Sequence, residues 1–288
     1  MTRTNTGWLY GFIGVVIFAG SLPATRIGVL DFSPEFMTFA RASIAGIIGL
    51  VLLFITGQKK PNKKQLKSLF LTACGVVIGF PLLTALALQT ITSARAIVFI
   101  GMLPLSTAIF AVICANEKPK PLFWLFAVLG GLSVAGFMLL SQSSDKMLHV
   151  GDLYMIGAIL ICGLGYAEGG KLSRELGGWQ VICWALALFL PFMLVFCIYT
   201  APVHMNEISN SAMLSLVYVT LFSTLIGFYF WYKGLAIGGI AQVGQIQLIQ
   251  PFIGFGFSAW LLHEDVSIQM IVVSIVVVAC VALAKKYA

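Results

Sequence analysis

The chain has 288 residues, of which 60% are hydrophobic and only 9% charged, against about 25% charged in soluble domains. That balance excludes a soluble enzyme or a nucleic-acid-binding domain, because the net charge of +7 comes from lysines and arginines scattered through short loops and not from one basic face. A bilayer span takes about 20 apolar residues, so ten spans of about 29 residues each use up the chain and leave only short connections.

Apolar runs bounded by charges and turn residues predict ten helices, at Trp8–Arg26, Phe36–Ile55, Leu66–Leu88, Ala94–Cys114, Leu122–Leu140, Leu153–Gly170, Val181–Tyr199, Leu214–Lys233, Ala241–Leu262 and Ile268–Ala284. The opening MTRTNTGW has no A-x-A cleavage pattern and is expected to lead into the first span rather than be removed. Strands are excluded because an open sheet edge leaves backbone groups unpaired in lipid. The expected class is an all-α membrane protein. With the N-terminus in the cytoplasm, thirteen of the seventeen basic residues fall on the inner side. Arg26, Arg95 and Lys146 are left outside, and Arg41 lies within the second span. By the positive-inside rule both termini are expected in the cytoplasm.

The same punctuation occurs twice. Pro104 and Glu117 recur as Pro251 and Glu264, at one offset of 147 residues (251 less 104; 264 less 117). The chain therefore divides into repeats at 1–144 and 145–288, each with five spans. An odd number of spans reverses the second copy, and such inverted repeats are the usual skeleton of an alternating-access transporter. Gly7/Gly11, Gly75/Gly79, Gly165/Gly169 and Gly234/Gly238 have the spacing that lets helices approach closely.

A few polar groups within the spans are candidates for function. Arg41 lies one and a half turns into the second helix, where a charge must snorkel or pair; the headgroups and Glu35 are within reach, and a gating or substrate-anion role is the alternative. Glu168 is the acid placed within a span, with Lys171 at i+3 as an ordinary partner and a substrate amine or coupling proton as the functional one. In the ninth helix Gln245, Gln247 and Gln250 accompany Pro251, which removes the hydrogen bond to the Gln247 carbonyl, as Pro104 does for Ile100. Gln245 and Gln250 are the glutamines expected to touch substrate. Tyr229, from an aromatic cluster in the eighth helix, and Ser21, Thr25 and Thr84 complete the expected substrate-binding set. Arg41, Pro104, Glu117, Pro251 and Glu264 form the structural or gating set. Each glutamate ends a helix where its carboxylate can accept N–H bonds from the next helix start. The six cysteines form no CxxC pair and read as small packing residues; neither a metal site nor a cofactor is expected.

Four stretches together resemble the EamA family of the drug/metabolite transporter superfamily. They are FAGSLPATRIGVLDFSPEFMTFARASIAGIIGL from Phe18 to Leu50, PLSTAIFAVICANEKP from Pro104 to Pro119, STLIGFYFWYKGLAIGGIAQV from Ser223 to Val243 and QPFIGFGFSAWLLHED from Gln250 to Asp265. The resemblance covers nearly the whole chain and both repeats. It implies ten helices in two inverted five-helix repeats, a bacterial cytoplasmic membrane, and movement of small organic metabolites, commonly outward. It also implies a cavity lined chiefly by the first, third, fourth, sixth, eighth and ninth helices. The family's arginine in the second helix matches Arg41, and its loop glutamates match Glu117 and Glu264. Phe18, where a tryptophan often stands, and Glu168 depart from the pattern and leave the substrate open.

The expectation is a secondary transporter, not an enzyme, exporting amino acids or similar metabolites by alternating access, with a small-molecule substrate and the bilayer as its partners. The alternative is proton-coupled or facilitative uptake of a nucleotide derivative or other metabolite. An intramembrane enzyme is remote, since His149, His204 and His263 fall in loops or at their edges.

Overall fold

The computed structural model describes residues 3–115, 120–140, 149–238 and 243–286. Among the described residues seven spans are long and apolar enough to cross a membrane: α1 (Thr6–Gly28, in a helix that starts at Arg3), α2 (Pro34–Ile55), α3 (Lys63–Thr90), α4 (Ser93–Ile113), α6 (Val150–Leu176), α7 (Gly178–Tyr199) and α8 (Asn210–Gly234). The apolar helices α5 (Pro121–Leu140), α9 (Ile246–Leu262) and α10 (Ile268–Lys286) complete the ten. Several begin earlier than hydropathy alone suggests, because polar residues cap them. Asn62 and Gln65 form a reciprocal capping box, each side chain accepting the other's backbone N–H at 3.0 Å. Ser33, Thr92 and Ser209 cap α2, α4 and α8 by accepting from Phe36, Arg95 and Ala212 N–H groups.

The helices pair in a pattern that exchanges the two repeats. α2 packs on α7, α5 on α10 and α4 on α9, while α1 on α8 is matched by α6 on α3, and α1 on α9 by α6 on α4. The paired copies are antiparallel. Asp31, just before α2, accepts from the Ser209 N–H that follows α7, and Glu264, at the end of α9, meets the first residues of α4. The repeats are thus inverted. Helix starts register at two offsets: Arg3/Val150, Lys63/Asn210 and Pro121/Ile268 are 147 apart (150 less 3; 210 less 63; 268 less 121), and Pro34/Gly178 are 144 apart (178 less 34).

Glycines set the closest approaches in two equivalent helix pairs, at different positions along them. A Cβ on Gly234 would lie 2.6 Å from the Gly11 nitrogen, and one on Gly75 would lie 2.6 Å from the Ile161 carbonyl and 2.7 Å from the Gly165 Cα. α1 against α8 and α3 against α6 are therefore backbone-to-backbone contacts that no larger residue permits. The outward faces carry exposed apolar side chains, such as Ile47, Leu50, Val51 and Phe54 on α2 and Leu125, Val128 and Leu132 on α5, as a bundle solvated by lipid requires.

The helices that meet at the centre are interrupted, again in register. α3 contains a π-helical segment at Ala73–Gly79 and α8 one at Tyr218–Ile226. α4 breaks at Gly101 and Met102, between Ser93–Ile100 and Leu103–Ala115, and α9 changes from a 3-10 segment, Gly244–Ile249, to α-helix at Gln250. Such irregularities are stable only where protein buries them, and they often mark function. α1 also breaks, at Gly20, where a Cβ would lie 2.5 Å from the Tyr218 hydroxyl.

Candidate functional site

The interrupted segments of α1, α3, α4, α8 and α9 line, with α2 and α6, a small central cavity of about 30 Å³. That volume holds a water molecule or two and no metabolite. Its wall includes Phe18, Ser21 and Leu22 from α1, Arg41 from α2 and Val76 and Phe80 from α3. Leu103, Cys162, Tyr166, Ser223, Phe228 and Gln250 complete it. Larger grooves lie on the perimeter, one of about 570 Å³ between Trp8, Phe12, Ile246 and Phe252. They are bordered by hydrocarbon side chains and open toward lipid, so the chemistry belongs to the central cavity.

Arg41 is 9% exposed, and it reaches neither headgroups nor Glu35 as the sequence reading allowed. Its Nε and Nη2 donate to the Thr224 hydroxyl at 3.2 and 2.8 Å. The π segment explains the fit: Thr224 donates its own proton to the Val219 carbonyl five residues back at 2.8 Å, which leaves its oxygen free to accept from the guanidinium. Among the described residues no acid forms an ion pair with Arg41. On the other side of the cavity Ser21 donates to Ser223 at 2.8 Å, and the Gln250 side-chain oxygen is buried without a hydrogen-bond partner among the described residues. Phe18 and Tyr166 meet the Phe228 ring edge-on, at 5.0 and 6.1 Å between centroids, giving the cavity an aromatic wall beside its polar groups.

Of the residues expected to bind substrate, the structure brings Ser21 and Gln250 to the cavity wall, together with Arg41 from the structural or gating set. Thr25 and Thr84 turn back on their own helices, donating to the Ser21 and Phe80 carbonyls at 2.7 Å. Tyr229 accepts from Lys233 at 2.9 Å at the edge of the bundle, where the ammonium also sits 4.6 Å over the Tyr10 ring. Glu168 is buried, but its partner is Ser68 of α3, which donates at 2.7 Å; the local pairing with Lys171 does not form. The side chain of Gln245 and all of Glu117 lie outside the described residues.

Pro104 and Pro251 stand second in the α-helical segments that follow the breaks, where a missing N–H costs nothing. The Gln247 carbonyl is not freed by Pro251, because the 3-10 turn gives it the Gln250 N–H. Glu264 accepts N–H bonds from a helix start, but from α4 and not from the α10 that follows it: Ser93 N–H at 3.0 Å, Ala94 N–H at 2.8 Å and the Ser93 hydroxyl at 2.7 Å. α10 is capped by Ser267 instead. His263, in the left-handed region at φ 51°, turns the chain back so that Glu264 can reach α4.

Sequence reasoning missed several of the groups that organise the site. Ser223 and Thr224 sit inside an apolar run and gain meaning only from the π segment. Arg95, which the topology puts on the outer side, and Asp152 lie 57 positions apart, yet they form a buried bidentate pair at 2.8 and 2.7 Å that ties α4 to α6. The same end of the bundle holds the Glu264 cluster, Arg26 bonded to the Leu88 carbonyl and Asp31 bonded to Ser209. The opposite end is held by neutral or singly charged contacts, Ser68 to Glu168, Gln65 to Glu175 and Gln180 to Gln58.

Comparison with known proteins gives this geometry a context. The model of the EamA-like transporter family matches twice, over residues 5–139 and 149–285. The chain is 56% identical over the whole length of both proteins to the uncharacterized transporter YdeK of Bacillus subtilis (strain 168). It is 20% identical, over 82% of this chain and 79% of the relative, to a probable terminal-alkyne amino-acid exporter of Streptantibioticus cattleyicolor. A solved crystal structure superposes with a TM-score of 0.66 over 97% of this chain and 96% of the other at 17% identity, a likeness of fold.

Proposed function

Since the chain belongs to the EamA-like transporter family, we propose that it exports amino acids or similar small organic metabolites across the bacterial cytoplasmic membrane by alternating access. The observation that carries this reading is the small central cavity, lined by residues of both repeats, with one buried arginine among hydroxyl, amide and aromatic groups. A site on the axis between inverted halves opens to either side when one half rocks against the other. Repeats bounded at 1–144 and 145–288, with both termini in the cytoplasm, fit that cycle. They place Arg95–Asp152 and the Glu264 cluster at the outer end, and Glu168 at the inner end.

The amino-acid class draws support from the exporter in Streptantibioticus and from the pairing of a cation with hydrogen-bonding groups in one small cavity. Purified protein in liposomes loaded with the proteinogenic amino acids and common metabolites is the test, with efflux followed by mass spectrometry under and without an imposed proton gradient. Selective loss of amino acids above protein-free liposomes supports the proposal; no selective loss of any compound contradicts it. Where efflux depends on the gradient, Glu168→Gln is expected to remove that dependence if its carboxylate carries the proton.

A further inference from the structure

Two arginines are buried in this bundle to the same degree, and they are treated differently. Arg95, 8% exposed, has a bidentate carboxylate in Asp152 and lies 5.3 Å from the centre of the Phe137 ring. Arg41, 9% exposed, has one threonine hydroxyl. A charge taken out of water is costly unless it is paired and hydrogen-bonded. Among the described residues there is therefore both an arginine whose counter-ion is built in and one, on the cavity wall, whose counter-ion is not. The cavity's other incomplete group is the Gln250 oxygen, which leaves an acceptor unpaired where a buried amide normally finds a donor.

Resting on the transport reading above, we infer that Arg41 receives the carboxylate of the substrate and that the Gln250 side-chain oxygen receives a donor on the adjacent carbon, so that the cargo is a small monocarboxylate of the α-amino-acid pattern. One guanidinium and no acid line the cavity, which matches one negative charge. A phosphate ester would bring roughly two charges at neutral pH and meet a single cation. A carboxylate-free amine would place a second positive charge beside Arg41 with nothing to balance either. The aromatic wall of Phe18, Tyr166 and Phe228 is left for the side chain. The bond from Thr224 holds the guanidinium by one edge, leaving the rest of its donor fork for a carboxylate.

The experiment uses proteoliposomes loaded with matched sets: each proteinogenic amino acid, its decarboxylated amine and its amine-free acid, for example phenylalanine, phenethylamine and 3-phenylpropionate. Thermal unfolding of the detergent-solubilised protein with the same compounds gives a readout of binding that does not require transport. Amino acids are expected to be transported and to stabilise, amine-free acids to do so more weakly, and amines to do neither. Arg41→Gln is expected to lower the effect of both acid classes roughly 10- to 100-fold, with Arg41→Lys retaining part of it. Gln250→Met is expected to erase the preference for the amino acid over its amine-free acid while leaving the latter unchanged. Equal transport of amines, or an Arg41→Gln protein that moves amino acids at the wild-type rate, overturns the inference and leaves transport itself standing. Should Arg41→Gln fail to fold, the compound series and Gln250→Met decide alone. No efflux of any compound from wild type overturns the transport reading and this inference with it.

Discussion

At the cavity wall the first repeat places Val76 and Leu103 where the second places Ser223 and Gln250, each pair separated by the same 147 residues (223 less 76; 250 less 103). Val77 likewise stands where the second repeat has Thr224. In the 144-residue register of α2 and α7, Arg41 corresponds to Ala185 (185 less 41). The backbone devices are shared, with π segments in α3 and α8 and breaks in α4 and α9. What the two copies share is the interrupted backbone; what they do not share is the polar chemistry, which surrounds one cavity from two unequal sides.

The ends of the bundle differ in the same sense. Arg95 and Asp152 form an ion pair, whereas their repeat equivalents at the 147-residue offset are Gln242 and Asn5, whose side chains carry no charge. The largest expected effect follows from breaking this asymmetry. Asp152→Asn leaves Arg95 buried without its counter-charge, at a cost of about 3–5 kcal/mol, read as a large fall in the thermal midpoint of the purified protein; an unchanged midpoint would show that the pair is not holding α4 to α6.

A second break makes the second repeat resemble the first. Gln250→Leu copies Leu103 and removes a buried, unpartnered acceptor, so folding stability should hold or rise slightly while amino-acid efflux falls roughly tenfold. Loss of stability together with activity would mean that Gln250 is a packing residue. Smaller again is the cost of crowding the shared contacts: Gly75→Ala and Gly234→Ala each drive a Cβ into facing backbone and should each destabilise by about 1–3 kcal/mol. Similar losses for the two would sharpen the equivalence of α3 on α6 with α1 on α8; a large difference would break it.

The smallest effect concerns Asp31, which joins the loop before α2 to the loop after α7. The Ser209 hydroxyl and backbone N–H hold its carboxyl below the usual carboxylate range. A carboxyl whose folded value is depressed contributes stability that is fully present above its unfolded value and is lost as pH falls through the folded one. Asp31→Asn should therefore give a small loss near neutral pH that vanishes in strong acid, measured by comparing thermal midpoints across that range.

Much of the architecture is legible in the sequence because each span must satisfy its own backbone in lipid, so ten apolar runs read directly as ten helices. The repeat is legible in Pro104 and Pro251, whose positions after matching breaks the structure explains. The interruptions are not legible in hydropathy, since a π segment such as Ala73–Gly79 is as apolar as the helix around it. Reasoning by nearest neighbours along the chain also misplaced partners. Glu168 was paired with Lys171 one turn away, while Ser68 reaches it from α3; Glu264 was directed to the following helix, while a left-handed His263 sends it to α4. Ser223 and Gln250 were open to view as the polar members of unequal repeat pairs. Gln250 is already expected to touch substrate from its place beside Pro251; aligning the two halves over the apolar runs, and not at the prolines and glutamates alone, is the signal that would have found Ser223 as well.

The most direct measurement is amino-acid efflux from liposomes carrying equal amounts of folded wild-type, Arg41→Lys and Arg41→Gln protein. If Arg41 supplies the charge that the substrate carboxylate completes, efflux is expected to fall partly with lysine and by roughly 10- to 100-fold with glutamine. Wild-type rates from the glutamine protein would contradict that role, and leave Arg41 as a structural partner of Thr224.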